Sequence, residues 1–341
     1  MKRCSVPIRR SIRPSAAAVI VATPAGRTRV PELRVGDQLL QVAQQTNLLD
    51  ALLSGGVAVP YSCRAGSCHA CLVRCVAGEP LDGQPEALAA DKRAEGWRLA
   101  CQCQVIGDLQ VEPFDPQRDG LAAKVAALDW PSPQVLRLRL LPARPLRYRP
   151  GQHLLLWNDQ GVARPYSLAS VPSEDDCLEF HIDCRMPGAF CDAARRLQVG
   201  DTLRLGELRG GALHYDADWQ ARPLWLLAAG TGLAPLYGVL REALRQEHQG
   251  AIRLLHVAHE PAEHYLASEL QALAAQHANL QVELVTAAQL PAALAELRLV
   301  SRQTLALLCG HPLTVDSFAR RLYMAGLPRS QMLADVFLTR A

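Results

Sequence analysis

The sequence predicts three consecutive domains of different class: an α+β unit, an antiparallel β-barrel and a doubly wound α/β domain. Three observations predict it. Cysteine, glycine and serine crowd into one loop in the first third of the 341 residues. Short strands bounded by Pro and Gly fill the middle third, and strands alternate with helices from residue 222 onward. The ranges that follow are a basic tail over 1–15, the first domain over 16–112, a linker over 113–120, the barrel over 121–218 and the α/β domain over 219–341.

In the first domain the stretches 19–21 and 28–33 read as strands. Residues 39–53 read as a helix, because Val42, Leu48, Leu49, Leu52 and Leu53 recur at helical spacing before Gly55 and Gly56 stop it. Strands over 72–76 and 97–106 follow. The linker reading rests on Pro113, Pro116 and the charged residues between Val111 and Gly120, and such a linker would let the first domain move. In the middle, 135–141, 153–157, 178–182 and 202–205 read as strands with one helix over 190–197, the pattern of an antiparallel barrel. Beyond it, strands over 224–228, 252–257, 280–285 and 304–308 alternate with helices over 234–245, 262–276 and 315–324. In the first of these helices Leu236, Val239, Leu240, Ala243 and Leu244 face inward. That alternation builds a parallel sheet. The uncharged run 223–240 has the length of a membrane span, but Gly230, Thr231, Gly232 and Pro235 split it into strand, turn and helix start, so no span is expected.

Eleven cysteines in a chain of this length fit a secreted disulfide scaffold poorly and point to metal or redox use. Cys63, Cys68 and Cys71 form a C-x4-C-x2-C run, and Cys101 lies further on. This is the spacing of plant-type 2Fe–2S sites, in which two irons need four thiolates. A tight loop of small residues such as Gly66 and Ser67 presents backbone N–H groups to the sulfurs. Structural zinc is the competing reading, but Cys101-x-Cys103 has the wrong spacing for its second pair. Cys103, on the same strand face as Cys101, is a rival fourth ligand. Cys4, Cys75, Cys177 and Cys184 read as small buried side chains or bystanders.

Further on, Arg164, Pro165, Tyr166 and Ser167 end a barrel strand. Arg offers a forked cation for a phosphate, Tyr a flat face for an isoalloxazine ring and Ser a hydroxyl. Gly188, Ala189, Phe190 and Cys191 open the segment's helix, where an N-terminus suits a pyrophosphate. Gly230, Thr231, Gly232, Leu233, Ala234 and Pro235 join the first parallel strand to its helix, with Pro235 in the place of a third glycine. Pro at a helix start has a purely structural reading as well. Cys309 and Gly310 end a later strand, where the thiol either caps the strand or lies against a nicotinamide ring.

With these motifs in place, the chain beyond the tail resembles a plant-type ferredoxin domain, of β-grasp fold, fused to a ferredoxin–NADP reductase-like module. It is similar to the NADH-dependent reductase components of multicomponent, including aromatic-ring, oxygenases, and also to the cluster-containing reductase of deoxysugar biosynthesis. The resemblance implies that Cys63, Cys68, Cys71 and Cys101 hold a 2Fe–2S cluster. It implies that Arg164 binds the FAD phosphate, Tyr166 packs on the flavin, Ser167 bonds near its reacting nitrogen, and Gly188, Ala189 and Cys191 meet the pyrophosphate. Gly230, Thr231, Gly232 and Pro235 would lie under the NADH phosphates, Cys309 and Gly310 near the nicotinamide, and Phe337 would shield the flavin. Tyr166, Ser167 and Cys309 are thus the residues implied at the chemistry. Cys191 stands where the family usually has Ser or Thr. Where the family often has Gly-x-Arg this chain has Ala258, His259 and Glu260, which favours NADH over NADPH because a carboxylate repels a 2′-phosphate. The implied activity converts a two-electron donor to single electrons for a terminal oxygenase or other acceptor protein, in a cytoplasmic monomer.

Composition agrees with a soluble globular chain: hydrophobic residues are 49% and charged residues 20%. The net charge of +3 comes from Lys2, Arg3, Arg9, Arg10 and Arg13; without them 31 bases face 33 acids. No basic face for nucleic acid is implied, and 5% aromatics are too few for base-stacking platforms. A cofactor-free interaction protein with a zinc-stabilised module is the reading from another class, and a visible spectrum separates the two.

Overall fold

The computed structural model describes residues 29–337. The basic tail, the strand expected over 19–21 and Cys4 lie outside the described residues.

The first domain is a mixed sheet with one helix across it. Strands β1 (Glu32–Val35), β2 (Gln38–Gln41), β3 (Leu72–Ala77), β5 (Trp97–Leu99) and β7 (Leu109–Pro113) order as β2-β1-β7-β3-β5, with β4 (Leu81–Asp82) and β6 (Cys103–Gln104) paired apart. Only the β1–β7 pair is parallel in the larger sheet. Helix α1 (Leu48–Ser54) buries Leu48, Leu49 and Leu52 against Leu33, Val73 and Val111. The helix expected over 39–53 is therefore half as long. Gly36, at φ +56°, turns the chain back so that residues 38–41 pair with β1, and Asn47 accepts from the Asp50 N–H to start α1. Helix α2 (Ala90–Ala94) precedes β5.

Residues 113–120, read as a linker, are packed. Phe114 stacks on Trp157 of the barrel at 5.5 Å and leans on Trp97 at 5.9 Å. Helix α3 (Pro116–Asp119) is capped by Asp115 and accepts Arg204 at Gln117, 2.6 Å away.

Strands β8 (Leu121–Ser132), β9 (Val135–Pro142), β10 (His153–Trp157), β11 (Ala163–Ser167), β12 (Leu178–Asp183) and β13 (Thr202–Arg209) form an antiparallel sheet ordered β11-β10-β13-β8-β9-β12. A bridge from Leu168 to Phe180 ties its two edges into a barrel. Helix α4 (Ala189–Ala194) lids one end with Phe190.

The third domain orders β14 (Leu224–Ala229), β15 (Ile252–Ala258), β16 (Leu280–Thr286), β17 (Leu305–Gly310) and β18 (Met332–Val336) as β16-β15-β14-β17-β18, all parallel. Side chains alternate between two cores. Leu224, Leu226 and Ala228 pack under α5 (Leu233–Arg245) and α6 (Ala267–Gln276), whereas Trp225 and Leu227 pack under α8 (Pro312–Met324) and beside α7 (Leu290–Glu296). The sequence pattern missed α7 and β18, and it began α6 five residues early. The uncharged run 223–240 is strand, turn and helix, and no helix among the described residues is long and apolar enough to cross a membrane.

Candidate functional site

The four cysteines come together as two pairs. Between α1 and β3 the backbone turns left-handed at Arg64, Gly66 and His69, with φ of +52°, +78° and +56°. These turns aim N–H groups inward. The Ala65 and Cys68 amides donate to Cys63 Sγ at 3.3 and 3.4 Å, and the Cys63 amide donates to Cys68 Sγ at 3.5 Å. The Cys68 thiol donates to Cys63 and pulls it down to about 4, and the Cys71 thiol donates to Cys101 and pulls it down to about 6. Gln102 adds a donor to Cys101 Sγ at 3.1 Å, and Asn47, the cap of α1, holds the Cys101 carbonyl at 2.9 Å.

Two pairs of sulfurs, each met by donors, suit two irons with two thiolates apiece. Four thiols from one loop and one 3-10 turn, in two pairs, fit a 2Fe–2S cluster. The strand expected over 97–106 is interrupted by a 3-10 turn over Ala100–Gln102, so Cys101 and Cys103 do not share a strand face. Cys103 is fully buried in the apolar core under α1.

The second cluster of groups lies where the barrel meets the α/β domain. Even residues of β10, Leu154 and Leu156, fill the barrel core, so His153, Leu155 and Trp157 face outward. His153 pairs with Ser167 on β11 and Arg209 on β13. His153 Nδ1 and Arg209 Nε are both buried without a partner, which fits a polar group that the flavin would supply. Burial pushes the His153 ring down and the Asp335 carboxyl of β18 up, while each opposes the shift in the other across the cleft. Asp335 neighbours Cys309, whose buried thiol is raised by desolvation, and the Phe337 amide donates to the Gly310 carbonyl at 2.9 Å.

On the other side of β11, Tyr166 and Arg164 oppose Leu154 and Leu156. Tyr166 sits 5.1 Å from Phe190, and Arg164 Nη1 donates to the Ala163 carbonyl at 2.7 Å. Gly188 is extended ahead of α4. Cys191 donates to the Asp183 carbonyl at 3.3 Å, and the Cys184 thiol draws Cys191 down to about 7.

The third group is the crevice between β14 and β17, where the strand order reverses. Gly230 turns at φ +55°, and a Cβ on Gly232 would collide with the Cys309 carbonyl. Gly310, at φ +130°, presses as closely on Ala229. His256, fully buried and driven by desolvation down to about 3, bonds the Gly230 carbonyl through Nε2 at 3.1 Å and meets His264 Nδ1 at 3.2 Å. Thr231 lies in this turn, and Pro235 is buried in the first turn of α5. The close approach of the 230–232 turn to the end of β17 places backbone at the carboxyl end of the sheet, where α/β sheets receive ligands. Sequence reasoning missed His153, His256 and Asp335; the only signal was that Asp335 lies two residues before Phe337.

Fold and site together define an oxidoreductase of the iron–sulfur flavoprotein class. Three family models match: a 2Fe-2S iron-sulfur cluster binding domain over residues 34–105, an oxidoreductase FAD-binding domain over 131–213 and an oxidoreductase NAD-binding domain over 226–329. The reductase component 2 of terephthalate 1,2-dioxygenase from Comamonas sp is 34% identical over 66% of this chain and 68% of its own length. The ferredoxin–NAD(P)+ reductase component of the naphthalene 1,2-dioxygenase system of Pseudomonas putida is 28% identical over 89% of this chain and 97% of its own. The structure of the ferredoxin reductase in carbazole 1,9a-dioxygenase shares the fold, with TM-score 0.61 and 24% identity over 90% of this chain and 98% of that one. The chain belongs to the 2Fe–2S ferredoxin-reductase family that includes the reductase components of oxygenase systems. It is an NAD(P)H-dependent oxidoreductase that passes electrons through FAD to a 2Fe–2S centre.

Proposed function

We propose that this reductase takes electrons from NADH and delivers them singly to the terminal component of an oxygenase. The observation that carries it is strand β10, which packs Leu155 and Trp157 against Cys68 and Ala70 of the cysteine loop and carries His153, with its buried unpartnered Nδ1, at its other end. When bound, FAD would accept a hydride and the cluster would carry one electron at a time. The chain's own residues hold and orient. Cys63, Cys68, Cys71 and Cys101 supply the thiolates. Arg164, Gly188, Ala189 and Cys191 bind the FAD phosphates, Tyr166 packs on the flavin, and Ser167 donates near its reacting nitrogen. Gly230, Thr231, Gly232 and Pro235 seat the NADH phosphates, Cys309 and Gly310 approach the nicotinamide, and Phe337 keeps water from the flavin. The protein is read as a cytoplasmic monomer, its odd total of eleven cysteines pointing to a reducing compartment. Its working units are the ranges 16–112, 121–218 and 219–341, joined at 113–120. Aerobically purified protein should show flavin and cluster absorption that NADH bleaches, and a colourless protein overturns the reading.

The nucleotide preference rests on Glu260, exposed just past the end of β15. A 2′-phosphate there would meet a carboxylate, and like charges in contact are costly. We expect kcat/KM to favour NADH in the parent, and Glu260→Gln to narrow that ratio by about ten-fold through a gain with NADPH. Steady-state rates with both nucleotides decide it, and a parent that prefers NADPH refutes the assignment.

A further inference from the structure

The cysteine loop is joined to the barrel by an apolar patch and a polar clasp. Cys68 and Ala70 pack with Leu155, Trp157 and Ala163, bordered by Cys63 and Phe114. At the edge of this patch stands His69, only 2% exposed, between two acceptors on different domains. Its Nε2 lies 3.0 Å from the Ala87 carbonyl and its Nδ1 lies 3.4 Å from Glu207 Oε2 on β13. Arg209, two residues along β13, donates to the same Ala87 carbonyl at 3.1 Å. One carbonyl of the first domain thus faces a nitrogen of the cysteine loop and a donor from the barrel, and one barrel carboxylate faces the residue that follows Cys68. The contact is largely dry, with the His69 side chain 1% exposed and that of Glu207 22%.

The location gives the clasp its consequence. Strand β10 carries Trp157 under the cysteine loop and, four residues away on the same face, His153 in the cleft read as the flavin site. Any slip of the loop along this strand changes the separation of the two sites.

We propose that His69, held between Ala87 and Glu207, is a positioning residue for electron transfer within the chain, fixing the cysteine loop on β10 so that transfer occurs in one preset geometry without a domain swing. The inference rests on the assignment of Cys63, Cys68, Cys71 and Cys101 to the cluster and of the His153 cleft to the flavin. The step is one electron, supplied by NADH through the reduced flavin, and it takes one iron from ferric to ferrous. No bond forms or breaks at His69.

The test uses the full-length holoprotein carrying Glu207→Ala or, separately, Glu207→Gln, mixed rapidly with NADH. Flavin bleaching should keep the parent rate in both. Cluster bleaching should slow several-fold in Glu207→Ala, because electron transfer falls exponentially as the two sites move apart. Glu207→Gln retains a carbonyl acceptor and should restore most of the rate. Without NADH, amide exchange over 69–71 and 155–157 should quicken in Glu207→Ala and not in Glu207→Gln. Unchanged cluster bleaching and exchange in Glu207→Ala overturn the proposal, as does equal loss of both phases in the two variants, which would make Glu207 a general structural residue. A parent lacking either chromophore instead overturns the cofactor assignment beneath it.

Discussion

Cys101→Ala should abolish delivery to a one-electron protein acceptor, by two orders of magnitude or more, while NADH-driven reduction of a small dye stays near the parent rate. Outer partners of metal ligands are worth about 10- to 100-fold, and a ligand itself sets the upper end of that scale or beyond. The local backbone should survive. Cys101 is carried on one 3-10 turn whose carbonyl Asn47 holds through its side chain, and neither contact uses the sulfur. What is lost is the second member of the Cys71 pair, leaving one iron short of a thiolate. The visible and electron-paramagnetic signals of the cluster should vanish at full FAD content. Cys103→Ala is the matched control. Its sulfur lies in apolar core, so the change should cost stability on the scale of a small cavity, about 1 kcal/mol, and leave the cluster spectrum intact. If Cys103→Ala removes the cluster and Cys101→Ala does not, the two assignments must be exchanged.

The cysteine site was legible because its chemistry dictates spacing: three thiolates from one loop cannot be reached with arbitrary gaps. The α/β domain was legible for a related reason, since strands such as β14, buried on both faces, leave unbroken apolar runs between helices. Where reading failed, the sequence carried two patterns at once. Leu39 and Leu40 fit a helical repeat with Val42 and Leu48, yet they belong to β2, because Gly36 had already folded the chain back on β1. Strand β18 was missed because it is short and only half buried, and it is defined by pairing with β17, which no local window contains. Contacts between domains left the least trace. Leu154 to Trp157 are all apolar, so nothing in the run tells that one face lines the barrel and the other receives the cysteine loop. His69 and Glu207 are 138 residues apart, and each alone reads as an ordinary polar residue.

Gly232→Ala should cut kcat/KM for NADH by about 10- to 100-fold with FAD and cluster content unchanged, the size of effect that overpacking by about 1–3 kcal/mol produces when it falls on the binding geometry. The argument turns on what stands opposite. A Cβ at Gly232 meets backbone, the Cys309 carbonyl and the Gly310 amide, so no side chain can rotate away. Relief requires the 230–232 turn to lift off β17. That turn is anchored from beneath by His256 to the Gly230 carbonyl, so the two constraints pull apart. Gly230→Ala makes the comparison. There a Cβ meets open space, and the cost is the left-handed φ of +55° alone, roughly 1 kcal/mol, without a collision. The expected order of kcat/KM for NADH is parent, then Gly230→Ala, then Gly232→Ala, with a rise in KM larger than the fall in kcat if the turn seats phosphates and not the reacting ring. Equal KM in all three proteins would mean that the crevice between β14 and β17 is not where the dinucleotide binds.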